Sequence, residues 1–264
     1  MNNILENIVK ERRRTIKKLK EIISEEYWER MPLFQKECIS LKKALSDKNN
    51  SGIIAEFKRA SPSKGIINAG VDVFDVVLDY QMNGATGLSI LTEPLFFEGN
   101  NDDILNVADS VSIPILRKDF IVDEYQVIET KALGADVVLL IAAVLTKLET
   151  QRFTKLAHEL GMEVILEIHN EMESDWISDE IDIVGVNNRD LKTFTVDINR
   201  SVALSRKIPS DKIRISESGI DDVATIRLLR QHGFNGFLMG EKFMKEKDPG
   251  KAFKNFTEKL KEAE

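Results

Sequence analysis

"TKALGADVVLLIAA", residues 130–143, joins two kinds of structure at one glycine. Before Gly134 runs the end of an amphipathic helical pattern. After it comes a short apolar run that does not alternate, which is how a strand covered on both faces reads. Gly134 sits where a helix C-cap needs left-handed backbone. The same junction recurs in "YQMNGATGLSILTE" (80–93), "AHELGMEVILEIHN" (157–170) and "LRQHGFNGFLMGEK" (229–242). Its glycines, Gly84, Gly134, Gly161 and Gly233, are spaced near multiples of roughly 25 residues, the length of one βα unit.

The remaining units fill in around these four. Strands are expected at Ile53–Lys58, Gly87–Thr92, Ile113–Lys118, Asp136–Ile141, Glu163–Ile168, Ile183–Asn187, Lys212–Glu217 and Gly236–Gly240. Helical patterns follow them in residues 72–84, 101–111, 123–134, 146–161, 171–180, 196–208, 221–233 and 249–264. Eight alternations over about 210 residues fit an α/β fold of the closed (βα)8 TIM-barrel type better than an open sheet. An open doubly wound sheet is the alternative, and its usual G-x-G-x-x-G phosphate loop is missing. Residues 1–50 precede the first strand and carry Ile4, Ile8, Ile16, Leu19 and Ile23 at helical spacing. We expect a helical extension over 1–50 packed on a barrel over 51–264, a single domain overall. "SDKNNSG" (46–52) is the turn-rich linker between them. The basic stretch Arg12–Arg14 with Lys17 and Lys18 offers a partner or membrane face, but interleaved acids favour a solvated helix surface.

Bulk composition narrows the function. The chain has 264 residues, 42% apolar and 31% charged, with a formal charge of −7. That balance argues against nucleic-acid binding, which needs a basic face. The lone Cys38 makes no internal disulfide or zinc cluster, and His158, His169 and His232 lack metal-ligand spacing. No secretory signal and no run of roughly 18 apolar residues is seen, so no membrane contact is expected and the cytoplasm is the expected compartment. Nothing marks an exposed apolar face, and a monomer is expected.

In such a barrel the active site lies at the C-terminal strand ends. Those ends carry Glu56 and Lys58, then Lys118, Glu167, Asn187 and Glu217, with Ser218 following. Strand side chains alternate, so Ile54 shares a face with Glu56 and Lys58, Leu116 with Lys118, Ile165 with Glu167 and Ile215 with Glu217. If the apolar members fill the barrel, the charged ones crown it. Loops are polar anyway, which explains any one of these residues but not the set. Burying unpaired charge is costly, so three carboxylates and two ammoniums converging there must pair or act. Lys58, Lys118 and Arg189 supply cations for an anionic ligand. Ser218–Gly219 and Gly240–Glu241, in the turns after the last two strands, offer backbone N–H groups for phosphate. Glu241 is expected to give its N–H and turn its carboxylate away.

These residues resemble a known family, the indole-3-glycerol phosphate synthases of tryptophan biosynthesis. "IIAEFKRASPSKG" (53–65) resembles that family's first-strand signature. "LRKDFIVDEYQV", "ADVVLLIAAVL", "GMEVILEIHNEME", "GVNNRDLKTFTVD", "ISESGI" and "FLMGEKFM" resemble its later strand ends, in order, and "ILENIVKERR" its extra helix. The resemblance implies a carboxy-lyase without metal or cofactor. It would close the ring of 1-(2-carboxyphenylamino)-1-deoxyribulose 5-phosphate, with loss of CO2 and water. By motif, Lys118 is expected as general acid for ring closure and Glu167 as the acid–base group for dehydration. Lys58 is expected to contact the substrate carboxylate or share the proton work. Glu56 and Glu217 would hold and tune these groups, and Asn187 and Ser218 orient them. Arg189, Gly219, Gly240 and Glu241 resemble anion-binding positions, and Ser61 and Ser63 lie in a loop placed to close over substrate. Opposing neighbours are expected to leave Lys118 able to give up its proton near neutrality.

Other residues are set aside. His169 shares Glu167's strand phase and offers a second acid–base group, but a cap on the next helix is the preferred reading. His232 is expected at a helix end, His158 as helix surface or core, and Trp28 and Trp176 as packing. Phe120 reads as an aromatic wall for an anthranilate ring or as cover for the barrel rim. Two other classes compete: another phosphosugar enzyme on this scaffold, such as an isomerase or a Schiff-base aldolase, and a non-catalytic phosphate-binding barrel.

Overall fold

A computed structural model describes residues 4–191 and 193–263. The barrel strands are β1 (Ile53–Phe57), β4 (Gly87–Leu91), β5 (Ile115–Lys118), β6 (Val137–Ile141), β7 (Glu163–Ile168), β8 (Ile183–Asn187), β9 (Ile213–Glu217) and β10 (Gly236–Met239). A small antiparallel hairpin, β2 (Ala60–Ser61) with β3 (Gly65–Ile66), follows β1 and was not expected from the sequence. All barrel pairings are parallel, and β1 closes the ring by pairing β4 on one side and β10 on the other. The open-sheet alternative is thereby overturned.

Helices cover the outside: α4 (Val73–Met82), α5 (Asn101–Leu105), α6 (Glu124–Ala132), α7 (Lys147–Glu159), α8 (Asn199–Leu204), α9 (Val223–Gln231), the short α10 (Glu241–Met244) and α11 (Pro249–Glu262). Their starts are chemically specified. Asp72, Asn100, Asp123, Thr146, Asp222 and Asp248 each accept a bond from the first turn's backbone, and Thr146 with Glu149 forms a capping box. Gly84, Gly134, Gly161 and Gly233 all have φ near +80 to +90°, as the helix–strand junctions require. Three expected helices are weaker than read. Residues 101–111 keep helix only at Asn101–Leu105, residues 171–180 hold only a 3₁₀ turn at Glu171–Trp176, and 196–208 keep helix only at Asn199–Leu204. The last position of the 249–264 pattern, Glu264, lies outside the described residues.

The core has two layers. Ile54, Leu116, Leu139, Ile165, Ile215 and Leu238 fill the barrel, which places the apolar partners of the strand-end charges inside it. A larger cluster, including Ala55, Phe57, Ile90, Val138 and Leu166, lies between strands and helices. The N-terminal segment is not one helix but α1 (Ile4–Ile22), α2 (Glu25–Glu29), a 3₁₀ turn at Pro32–Gln35 and α3 (Leu41–Ser46). Helix α3 plugs the bottom of the barrel with Leu41 and Leu45. Gly87 and Gly236 make room: a Cβ on either would lie 2.9 Å from Leu41 or Leu45. Helix α1 packs near the other end. Arg12, 5% exposed, is not a solvated surface group as its basic run implied. Its Nε donates to Asp119 Oδ1 at 2.9 Å, next to Lys118. Asp119 also receives Arg117, a fully buried cation bound to Glu129 Oε2 at 2.6 Å.

Candidate active site

The C-terminal strand ends open into a cavity of about 710 Å³, within the range of small-molecule sites. Its floor is a charged cluster set on the rigid strands. Lys118 Nζ donates to Glu167 Oε2 and to Glu217 Oε2, each at 2.7 Å. Lys58 Nζ donates to Glu56 Oε1 at 2.5 Å, and Ser89 Oγ approaches Glu56 Oε2 at 3.5 Å. Two missing side chains make space for this. A Cβ on Gly185 would lie 2.6 Å from Glu217 Oε1, and one on Gly240 would lie 2.7 Å from Glu56 Oε1.

Asn187 ties the floor to the rim. Its Nδ2 donates to Glu167 Oε1 at 3.2 Å, while its Oδ1 accepts from Ser218 Oγ and the Arg189 N–H, both at 3.0 Å. Ser218 and Gly219 both take left-handed backbone, at φ +68° and +75°. Gly219 is doubly constrained, because a Cβ there would fall 2.3 Å from Val196 Cγ1. On the rim, Glu241 sits between Arg189 Nη2 at 3.6 Å and Lys64 Nζ at 3.5 Å. Its carboxylate is therefore not turned away from the cations, contrary to expectation. The two cations draw it in.

The field of this cluster departs from one expectation. Burial pulls the Lys118 ammonium down, but Glu167, Glu217 and Glu56 outweigh it, and its pKa is raised. A lysine titrating near neutrality is not what results. Burial pushes Glu167 up, yet Lys118 and His169 hold it well below the usual carboxylate range. Glu217 is the group that titrates near neutrality: burial and the Glu167 charge raise it to about 7 against Lys118's pull.

His169 is also placed differently from its preferred reading. Asn170, not His169, caps the following 3₁₀ turn. His169 is 8% exposed, with Nε2 3.1 Å from Glu167 Oε1 and Nδ1 3.2 Å from Glu173 Oε2. The Nε2 contact is one of charge rather than an aligned hydrogen bond. Burial opposes the imidazolium, but the two carboxylates raise it to about 9. His232 does end α9, His158 bonds Asp182 at 2.8 Å from the outer face of α7, and Trp28 and Trp176 pack as read.

Residues 5–256 match the sequence model of the family described as Indole-3-glycerol phosphate synthase. The chain belongs to that family. It is 44% identical over 260 residues to the indole-3-glycerol phosphate synthase of Bacteroides thetaiotaomicron, covering 98% of this chain and 100% of that one. It is 37% identical over 254 residues to the Bordetella pertussis protein of the same name, covering 95% and 97%. A tryptophan synthase alpha chain from Legionella pneumophila shares the fold alone, with a TM-score of 0.61 at 13% identity over 84% of this chain and 96% of that one.

For this synthase-family chain, every site residue singled out in the sequence lines the one cavity: Glu56, Lys58, Ser61, Ser63, Lys118, Phe120, Glu167, Asn187, Arg189, Glu217, Ser218, Gly219, Gly240 and Glu241. Phe120 stands against Phe97, ring centroids 6.1 Å apart, and both line the cavity. Phe97, Phe194 and the α1 residues Ile4 and Ile8 were not anticipated as lining. The doubled phenylalanine of "LFFEG" (95–99), in a loop after a strand, was an available signal for Phe97. Nothing local marks Ile4 or Ile8, which look like any buried helix face.

Proposed function

We propose that the protein is an indole-3-glycerol phosphate synthase, a carboxy-lyase of tryptophan biosynthesis. Its substrate on this reading is 1-(2-carboxyphenylamino)-1-deoxyribulose 5-phosphate. The observation that carries it is Lys118 held by two buried carboxylates on the floor of a cavity lined also by Phe97, Phe120, Lys58 and Arg189. A protonated lysine can give its proton to the ketone oxygen as the ring closes, which is general-acid catalysis. Glu167 then serves the dehydration, which needs a proton on the departing hydroxyl and one removed from carbon. Lys58 faces the substrate carboxylate or shares this proton traffic. Glu56 and Glu217 hold the two lysines, and Asn187 with Ser218 fixes Glu167 and the substrate hydroxyls.

Phenylalanines 97 and 120 suit the anthranilate ring. The phosphate is read at the rim, on Arg189 and the backbone N–H groups of Gly219, Gly240 and Glu241, displacing the Glu241 carboxylate from its two cations. Ser61 and Ser63 lie in the hairpin loop placed over the mouth. Each step is a proton transfer or the making or breaking of a bond within the substrate, so the reading calls for no metal or organic cofactor. We read the protein as a monomer, with residues 1–50 and the barrel acting as one domain. No described helix is long and apolar enough to cross a membrane, in keeping with a cytoplasmic enzyme. Mixing the protein with this substrate in chelator and following indole fluorescence tests the reading. A rise is expected. No rise from folded protein that still binds phosphate would overturn it.

A further inference from the structure

The proposed reaction does not balance on the substrate's own protons. The carboxylate leaves as CO2, and the ketone oxygen leaves as water with two protons. One of those comes from the substrate's methylene carbon, so the other must come from outside the substrate. Each turnover consumes one proton. Glu167, the group read as acid for the dehydration, starts ionised against Lys118 at 2.7 Å and has no proton to give. It must be loaded, and at 2% exposure it is already screened from bulk water.

One ionisable group touches Glu167 from behind the site. His169 Nε2 is 3.1 Å from Glu167 Oε1, on the side away from Lys118. Its Nδ1 faces Glu173 Oε2 at 3.2 Å, and Glu173 is fixed in turn by the His169 N–H at 2.7 Å and by Asn170 Nδ2 at 2.5 Å. The charged groups around the pair are Glu173 from the 3₁₀ turn, Lys118 from β5 and Glu217 from β9; the neutral Asn187 comes from β8. His169 Nε2 is buried and makes no aligned hydrogen bond among the described residues. A histidine kept for packing alone would not need a carboxylate on each nitrogen.

We propose that His169 is a positioning residue for Glu167 that stores the proton consumed in each turnover. The inference rests on the synthase reading above. In the resting site the imidazolium holds Glu167 in its carboxylate form. Once Lys118 has given its proton to the ketone oxygen, the cation that kept Glu167 ionised is gone. The 3.1 Å contact then aligns as a hydrogen bond and the Nε2 proton passes to Glu167 Oε1, leaving neutral His169 with its Nδ1–H toward Glu173, and Glu167 protonates the leaving hydroxyl. The proton taken from the substrate methylene returns to Lys118, and when product departs the open mouth lets solvent recharge Glu167 and, through it, Nε2. The chain of transfers moves one proton and creates none.

A single-turnover stopped-flow experiment tests this, recording indole fluorescence and a pH-indicator dye together in weak buffer. In the native enzyme, proton uptake from the medium should lag the fluorescence rise and follow product release. In His169→Asn, uptake should coincide with the fluorescence rise, because no stored proton exists. Turnover of that variant should fall on the order of tenfold, less than the roughly 10² to 10⁴ expected for a group acting directly on substrate. Glu173→Gln keeps the ring in place but removes a charge that retains the proton. It should move the alkaline limb of kcat to lower pH with KM unchanged, which a purely structural role would not do. Uptake that coincides with chemistry in the native enzyme, or a His169→Asn time course matching it, overturns the proposal. A native enzyme with no fluorescence rise sinks the synthase reading itself, and this inference with it.

Discussion

Replacing Lys118 by methionine keeps most of the side chain's length and removes its charge. Glu167 and Glu217, whose side chains are at most 3% exposed, then lose the cation that stood 2.7 Å from each. Removing one partner of a buried ion pair costs about 3 to 5 kcal/mol, because the remaining charge is stranded. The protein can relieve this only by binding protons. Glu217 already titrates at about 7, above an ordinary carboxyl; losing Lys118 raises it further and lets Glu167 climb out of its depressed range. A carboxyl whose folded pKa lies above its unfolded one stabilises the native state when protonated, and that advantage disappears as pH climbs. The stability gap between Lys118→Met and the native enzyme should therefore be small near pH 5 and approach about 3 to 5 kcal/mol near pH 8. Urea titrations followed by circular dichroism at the two pH values measure it. Turnover, read by indole fluorescence, should fall by at least about 10² while the barrel stays folded. A variant that keeps more than about a tenth of native turnover would refute the general-acid role, since such groups contribute far more. An equal stability gap at both pH values would refute the charge argument.

Other consequences follow from neighbouring contacts. Gly185→Ala would put a Cβ 2.6 Å from Glu217 Oε1, so it should push that carboxylate off Lys118 and lower kcat, at about 1 to 3 kcal/mol of overpacking by urea titration. Unchanged kcat would mean that Glu217 need not touch Lys118. Glu217→Gln removes the group that titrates at about 7. Relative to the native enzyme it should gain stability on going from pH 5 to pH 8, on the order of 3 kcal/mol, and lose any inflection of kcat/KM near neutrality. A gap that does not vary with pH would contradict the raised pKa. Arg12→Met breaks the buried bond to Asp119 that seats α1 beside Lys118. Because Ile4 and Ile8 of that helix line the cavity, KM should rise more than kcat falls, and normal KM with a loosened α1 would count against α1 as part of the site.

Much of the site was legible because a strand end is a local object. Alternation along β1, β5, β7 and β9 puts Glu56, Lys58, Lys118, Glu167 and Glu217 in phase with apolar residues, and a closed barrel turns one phase inward. The glycine junctions, the capping side chains and the eight-fold alternation are likewise readable over a few residues at a time. What could not be read depends on which distant groups meet. Arg12 lies in a basic run that resembles any solvated helix surface, and only the docking of α1 buries it on Asp119. Leu41 and Leu45 look like ordinary helix positions until β4 and β10 open at Gly87 and Gly236 to admit them. The sequence alone determined the fold class and which ionisable residues crown the strand ends, because both follow from the period of the chain and the chemistry of its strand ends. Tertiary structure alone decided which charges pair, and so which group carries a proton at neutral pH. Coulomb energies depend on separations of a few ångströms and on burial, and neither is a property of neighbours in sequence.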